Sequence, residues 1–404
     1  MAIAGTDTTI DSDARARFSG WLRGSLRSRT LADCFDARSD NFLLLRFIAA
    51  VMVMFGHSYG FAGLPNHGDF IARSAWGKGV YTGSLAVDVF FVVSGFLVTG
   101  SYLRRAHLEE FLKSRALRIL PAYTACMIGC AFVLGAIFTS LSLPAYWTNA
   151  AIYDYVYVNM QFGVQLIWNL PGVFVHNFYP NAVNGSIWTL PAEVRMYVWV
   201  AILGALGVLR RRWFANTVFA GLLLLGLFAP DYLPLVPKPQ FVRLAGFFLI
   251  GALCFVNRDW IRIGTIPLVG LVLLAIGTHH TSISACTLGL AIAYCSLWFV
   301  YVPNFHFFNR FGDYSYGIYL WGFPIQQAVS ASLGRPVHAW VNFALSVPIV
   351  IALAALSWHL IEKPALNFKR RSSRNHPQPA ISGAGKLPTA EKLIASHNKI
   401  TECP

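Results

Sequence analysis

The sequence predicts an all-α integral membrane protein with about ten transmembrane helices and both termini in the cytoplasm. Of its 404 residues, 56% are hydrophobic and only 12% are charged, whereas a soluble domain carries about 25% charged residues. Apolar runs long enough to cross a bilayer, roughly 20 residues each, recur between residues 42 and 362. Of the 32 Lys and Arg residues, 25 fall on segments that share a side with the N-terminus and four fall on the other side. The positive-inside rule therefore places both termini in the cytoplasm.

The predicted spans divide the chain into three parts: a polar cytoplasmic segment at 1–40, a membrane domain at 41–368 and a basic tail at 369–404. The tail is rich in Ser, Pro, Asn and Lys, a composition typical of disorder. The predicted spans lie near 42–61, 83–103, 117–139, 187–209, 214–229, 240–256, 263–278, 282–300, 314–333 and 339–361.

Composition also excludes some classes of function. The net charge of +14 does not indicate nucleic-acid binding, because the basic residues lie between the spans rather than on one face. The seven cysteines show no metal-ligand spacing and are odd in number, so we expect neither a metal site nor a disulfide framework.

Charged side chains within the apolar runs are the main indication of function. In the first span, LLLRFIAAVMVMFGH, Arg46 and His57 lie on one helical face, roughly 16 Å apart along the axis. Asp88 in the second span and Glu193 in the fourth span fall at a depth similar to that of His57. Buried ionisable groups in a membrane face the bundle interior and find partners. A pairing of His57 with Asp88 or Glu193 would suit a general base, or it would only hold helices together.

Two further groups of residues suit a phosphorylated ligand. Arg115 and Arg118 are i, i+3 neighbours at the cytoplasmic end of the third span, where two guanidinium groups could clamp phosphates. Ser94 and Gly95 in the second span could let a thin ligand arm lie against the backbone. The alternatives are ordinary positive-inside anchoring for the arginines and close helix packing for the small residues.

The long outward segment at about 141–186 contains many aromatic residues but no Lys or Arg. Aromatic rings with polar neighbours can stack on sugars. An interfacial aromatic belt or packing against the spans would give the same composition.

The motifs, taken in order, resemble the acyltransferase 3 family of bacterial membrane acyltransferases. LRFIAAVMVMFGH resembles its arginine–ten residues–histidine motif, VDVFFVVSGFLV its second-span motif and RALR its paired-arginine motif. SIWTLPAEVRMY resembles its tryptophan–glutamate–tyrosine motif, and YSYGIYLWGFP and LIEKPAL resemble its closing motifs. The resemblance spans about residues 42 to 366. Two departures are Gly322, where many members carry a histidine, and the tail, which we expect to be too short and too polar to form the hydrolase-like domain that larger members append.

The resemblance implies transfer of an acyl group, usually acetyl, to a hydroxyl of a cell-surface or exported saccharide. It implies that His57 is essential and that the motif arginines serve the acyl donor, which is expected to be acyl-CoA, most simply acetyl-CoA, with no metal. We further predict that Trp188, Tyr197 and Tyr319 bind substrate, that Asp88 or Glu193 orients His57, and that Ser94 and Gly95 border the donor.

The predicted partners are acyl-CoA, a saccharide or glycolipid acceptor and membrane lipids, with no nucleic acid. The predicted location is the bacterial cytoplasmic (inner) membrane, as a multi-pass protein. The oligomeric state and the identity of the acceptor stay open. The alternative functions are a transporter that uses the buried polar residues as a solute pathway and a sensor without catalysis.

Overall fold

The fold is known from a computed structural model that describes residues 29–35, 40–62, 68–74, 80–105, 107–334 and 337–367. Most of the predicted cytoplasmic segment 1–40 and the whole of the predicted disordered tail 369–404 lie outside the described residues. The helices, in chain order, are α1 Leu31–Cys34, α2 Phe42–Phe61, α3 Thr82–Arg105, α4 Leu108–Ile128, α5 Gly135–Phe138, α6 Leu143–Trp147, α7 Ala150–Met160, α8 Leu190–Ala205, α9 Arg212–Phe228, α10 Pro239–Val256, α11 Thr265–Gly277, α12 Ser284–Tyr301, α13 Ser315–Leu333 and α14 Ala339–Ser357.

Shorter elements connect these helices. Strand β1, Arg29–Thr30, pairs antiparallel with strand β2, Arg262–Ile263. The remaining turns are π-helical at Gly129–Leu134 and Trp358–Glu362 and 3₁₀-helical at Gly185–Thr189, Val208–Arg210, Pro230–Tyr232 and His306–Arg310.

Every predicted span coincides with a helix of the bundle, which confirms an all-α membrane architecture. Within the described residues, six helical segments are long and apolar enough to cross a membrane, namely those that contain α2, α3, α4, α10, α12 and α14. Helices α9 and α11 are apolar but shorter. Helix α8 has only 16 residues, and α13 buries two glutamines, Gln326 and Gln327. The count of ten spans therefore stays a prediction.

Helix α3 lies at the centre of the bundle and packs against α2, α8 and α10. Its approach to α10 is close because glycines face backbone atoms on both sides. A Cβ on Gly95 would lie 2.0 Å from the Phe248 carbonyl oxygen, and one on Gly251 would lie 2.1 Å from the Val92 carbonyl oxygen. Small residues of this kind let membrane helices approach closely. Gly95 thus serves helix packing, which was the alternative to the predicted contact with a ligand.

The outward aromatic segment folds back onto the membrane helices. Tyr146 and Tyr155 are fully buried, and the Tyr146 hydroxyl donates to the Ala131 carbonyl of the π-helical turn at 2.7 Å. A Cβ on Gly135 would lie 1.8 Å from that hydroxyl oxygen, so only glycine fits there. These buried tyrosines pack the segment against α4 and the π-helical turn that follows it.

Candidate active site

Among the cavities in the described part of the bundle, two divide the predicted cavity-lining site residues between them. The inner cavity has a volume of about 100 Å³ and contains Arg46, Arg115 and Arg118 on its wall. The outer cavity has a volume of about 770 Å³ and contains His57. They are named for the predicted cytoplasmic and outward ends of the helices that bear them.

An ion-pair network at the inner cavity joins residues from four regions of the chain. Asp313, just before α13, accepts from Arg46 Nη1 at 2.6 Å and from Arg118 Nη2 at 2.7 Å. Arg118 Nη1 also donates to Glu362 at 3.2 Å, and Glu362 accepts from the Ser357 hydroxyl at 3.0 Å. Two predicted donor-binding arginines are therefore held by carboxylates at one end of the bundle.

The charge state of Asp313 follows from this network. Burial by itself raises the pKa of the Asp313 carboxyl. The guanidinium groups of Arg118 and Arg46, together with the Ser315 hydroxyl, which donates to the carboxylate at 2.5 Å, lower this pKa by more than burial raises it. The pKa of Asp313 is lowered to about 2. Asp313 is therefore ionised near neutral pH and holds both arginines electrostatically.

Arg115 and Glu193 face the same cavity. The Arg115 guanidinium lies over the Tyr197 ring, 5.8 Å from its centroid, and its Nε donates to the Ser114 hydroxyl. The Tyr197 hydroxyl donates to Glu193, and the Ser94 hydroxyl lies 3.5 Å from the same carboxylate oxygen. Ser94, Glu193 and Tyr197 thus form a polar group on the wall of the inner cavity.

A thin partition separates the two cavities. Thr189 lies on the inner wall and the preceding residue, Trp188, lies on the outer wall. The Tyr319 hydroxyl of α13 donates to the Ser186 carbonyl and accepts from the Thr189 hydroxyl. One turn further along α13, Phe323 lies 5.3 Å from the His57 ring, measured between ring centroids. The Gly185–Thr189 turn and one face of α13 therefore form the wall between them.

The outer cavity combines aromatic rings with polar side chains. Its aromatic residues are Phe61, Tyr81, Trp168, Tyr179, Trp188, Phe241 and Phe323. The half-buried His57 lies on the same wall. Burial raises the pKa of Tyr81 to about 12, so its hydroxyl is a hydrogen-bond donor at neutral pH. The cavity can take a ligand that offers both flat apolar faces and hydroxyl groups.

A buried glutamine fixes part of the outer cavity. Gln327 of α13 is fully buried, and its Nε2 donates to the carbonyls of Tyr179 at 2.7 Å and Ala182 at 2.6 Å. Its Oε1 accepts from the Asn177 amide at 2.7 Å. These bonds satisfy backbone groups of a segment that has no regular secondary structure, and so they position the segment that carries Tyr179.

The predicted site residues do not all meet. Asp88 is buried and forms an ion pair with Arg243 of α10, and Glu193 bonds Tyr197 and Ser94 in the inner cavity. The expected orientation of His57 by one of these two carboxylates stays a prediction. The three residues predicted to bind substrate are divided: Trp188 lines the outer cavity, as does His57, whereas Tyr197 and Tyr319 line the inner cavity.

Three residues of this region were missed from the sequence. Asp313 stands next to the motif YSYGIYLWG, and an aspartate directly before an apolar run could have indicated an arginine partner. Arg243 lies near the outer end of α10, at a depth that matches Asp88, but depth alone does not select a pair. No feature of the sequence indicated the role of Gln327, apart from its being a polar residue in an apolar run.

Within the part of the chain that the structure describes, no group of three or more His, Cys, Asp or Glu side chains could hold a metal ion. The described cysteines are free thiols. Cys126 and Cys130 lie one helical turn apart and fully buried, with 4.0 Å between their sulfur atoms.

Comparison with known proteins decides the family. The family model described as "Acyltransferase domain", that of the acyltransferase 3 family, matches residues 40–359. The chain belongs to the acyltransferase 3 family. It is therefore an acyltransferase, and the transporter alternative is not favoured. No solved structure matches the chain.

Three relatives illustrate the range of this family. The O-acetyl transferase of Shigella phage Sf6 is 28% identical over 355 residues, which cover 85% of this chain and 97% of the relative. Nodulation protein 10 of Rhizobium leguminosarum bv. viciae is 28% identical over 360 residues, covering 82% and 94%. The exopolysaccharide production protein ExoZ of Rhizobium meliloti is 26% identical over 323 residues, covering 74% and 95%.

Proposed function

We propose that this acyltransferase moves an acetyl group from cytoplasmic acyl-CoA to a hydroxyl of a cell-surface or exported saccharide, in the bacterial inner membrane. The observation that carries the proposal is the pair of cavities: a cavity lined by three arginines at one end of the bundle and an aromatic cavity with His57 at the other. An enzyme whose donor and acceptor come from opposite compartments needs two such sites.

The inner cavity suits acyl-CoA by its guanidinium groups. Arg46, Arg115 and Arg118 present guanidinium groups, and guanidinium binds phosphate strongly. The wall beyond them is formed by Ser94 and Tyr197, which would border the donor's thinner arm. As a co-substrate, acyl-CoA would supply the acyl group as a thioester, which is reactive toward an oxygen nucleophile.

The outer cavity suits a saccharide by its aromatic walls. Trp168 and Trp188 offer flat faces for sugar rings, and Tyr81 offers a hydroxyl donor. The names of two relatives, an O-acetyl transferase and an exopolysaccharide production protein, support an oxygen acceptor on a saccharide. Tyr197 and Tyr319 face the other cavity, so we assign them to the donor side and Trp188 to the acceptor side.

We assign His57 as the general base. Its imidazole would accept the proton of the acceptor hydroxyl as that oxygen bonds to the acyl carbon. The carbon–sulfur bond breaks, and the proton passes to the leaving sulfur. Glu193, held at the inner wall by Tyr197 and Ser94, and Asp88, held by Arg243, would support this step by their negative charge.

Radiolabelled acetyl-CoA tests the proposal with purified protein in lipid nanodiscs and surface polysaccharide from a bacterial strain that lacks this protein. Label should enter the polysaccharide as an ester that mild alkali releases. His57→Ala should abolish labelling while the protein stays folded in the nanodisc.

His176→Ala is the matched control, because it removes a more exposed imidazole from the outward segment outside the outer cavity. Its labelling should match that of the wild type. Unchanged labelling by His57→Ala would overturn the assignment of the base, and no label transfer by the wild type would overturn the proposed function.

A further inference from the structure

The outer cavity contains a lysine that the proposed reaction does not use. Lys238 lies on the cavity wall just before α10. Among the described lining residues, Lys238 and His57 are the basic side chains, and Asp and Glu are absent. The cavity therefore has a positive wall without a balancing carboxylate.

Lys238 differs from four arginines elsewhere in the bundle. Arg46, Arg118 and Arg243 form ion pairs with carboxylates, and Arg195 donates to two backbone carbonyls. Within the described residues, the Lys238 ammonium has neither an ion-pair nor a hydrogen-bond partner. Lys238 as a whole is half-buried, and an ammonium without a partner can form a charge-assisted hydrogen bond to an anion that enters the cavity.

The backbone that carries Lys238 is held on both sides. Val236 and Phe241 are buried, and the Trp199 indole donates to the Pro234 carbonyl at 3.0 Å. The Lys238 carbonyl accepts from the Phe241 amide at 2.9 Å. Because the Lys238 backbone is held in place on the cavity wall, the ammonium can occupy only the positions that the Lys238 side chain reaches from there.

The predicted membrane topology gives no other reason for a lysine at position 238. Lys238 is one of only four Lys or Arg residues on the predicted outward segments, where the positive-inside rule disfavours them. The cytoplasmic bias of basic residues therefore does not account for this lysine.

We propose that Lys238 binds an anionic group of the acceptor, so that the enzyme prefers a saccharide that carries a carboxylate or a phosphate. The neighbouring amides of Asn169 and Gln240 line the same cavity and can donate to the same oxygens. This inference rests on the proposed function, because it treats the outer cavity as the acceptor site.

The test measures binding of defined oligosaccharides to the full chain in nanodiscs by calorimetry. One probe is a glucuronic-acid-containing tetrasaccharide, and the second is the same tetrasaccharide with its carboxylates reduced to hydroxyls. We expect the wild type to bind the acidic probe about ten-fold more tightly, which corresponds to about 1.4 kcal/mol. High salt should reduce this preference.

Substitution separates Lys238 from general electrostatics. Lys238→Gln should bind both probes with the affinity of the reduced one, and Lys238→Arg should keep the preference. Arg73→Gln is the control, because it removes an exposed charge from the same predicted face outside the cavity. It should keep the wild-type preference.

A third probe identifies the source of the charge. It is the reduced tetrasaccharide with a phosphate at its reducing end, and tight, Lys238-dependent binding of this probe alone would select phosphate over carboxylate. Equal binding of all three probes, binding of none of them, or a preference unchanged in Lys238→Gln would overturn the inference. Lys238-dependent binding without any acetyl transfer by the wild type would overturn only the proposed function.

Discussion

Asp313→Asn tests whether the carboxylate network positions the arginines of the inner cavity. The substitution keeps the shape of the side chain but removes the charge that Arg46 and Arg118 share at 2.6 and 2.7 Å. Arg118 keeps Glu362 at 3.2 Å, whereas Arg46 loses the carboxylate that the structure gives it. The two guanidinium groups should therefore move apart.

The structure sets the magnitude of the effect. A hydrogen bond to a charged group contributes about 1.5–3 kcal/mol, and breaking a buried ion pair costs about 3–5 kcal/mol. The Arg46 and Arg118 side chains are 22% and 14% exposed, and the amide oxygen can still accept one bond. We therefore expect a loss of about 3 kcal/mol in unfolding free energy and an increase of about ten-fold in the apparent KM for acetyl-CoA.

The assay compares the KM for acetyl-CoA at saturating acceptor with thermal unfolding in the same detergent. Asp313→Glu should restore part of the affinity for acetyl-CoA, because it returns the charge. Asp69→Asn is the matched control: Asp69 is also buried, but it accepts from the Ala72 and Thr82 amides near the outer end of α3. It should lower stability without changing the KM for acetyl-CoA.

A KM that is unchanged or lower in folded Asp313→Asn would refute the reasoning. A lower KM would mean that the carboxylate competes with the donor's phosphates for the arginines instead of positioning them.

Further substitutions test the two cavities and the helix packing. Arg115→Gln should raise the KM for acetyl-CoA about ten-fold in a kinetic assay, since one phosphate contact is lost, and an equal rise in the KM for the acceptor would contradict this. Trp188→Ala should raise the KM for the acceptor about ten-fold through loss of a stacking face, with the KM for acetyl-CoA unchanged. A change in the KM for acetyl-CoA alone would contradict the assignment of Trp188 to the acceptor side. Gly95→Ala should lower the yield of folded protein in size-exclusion chromatography, because its methyl group would overlap the Phe248 carbonyl. Gly246→Ala on α10, where a Cβ meets nothing within 4 Å, should leave that yield unchanged.

The helices could be predicted from the sequence because the bilayer sets the length of an apolar run. The depth of a residue in the bilayer could be predicted for the same reason, and this prediction placed Asp88 and His57 at similar depths. The direction in which a side chain faces around its helix could not be predicted, because that direction depends on the neighbours that each helix meets. Depth therefore offered Asp88 and Glu193 equally as partners of His57, and it did not indicate that Asp88 pairs with Arg243, 155 residues away in the chain.

Small and aromatic residues were ambiguous for a related reason. Gly95 next to Ser94 suits a ligand arm or a helix crossing, and only the position of α10 decides that Gly95 meets the Phe248 carbonyl. In the outward segment, Tyr155 is fully buried and Trp168 lines the outer cavity, although both belong to the same aromatic pattern. Composition identified the segment but not the role of each ring.

The most direct test of the central claim is acetyl transfer across a sealed membrane. Proteoliposomes of one orientation would hold radiolabelled acetyl-CoA on the side of Arg115 and saccharide acceptor only on the side of His57. We expect the wild type to label the saccharide, and His57→Ala to leave it unlabelled. Labelling that occurs only when acetyl-CoA and saccharide share one compartment would contradict the account, because donor and acceptor would then use the same face of the bundle.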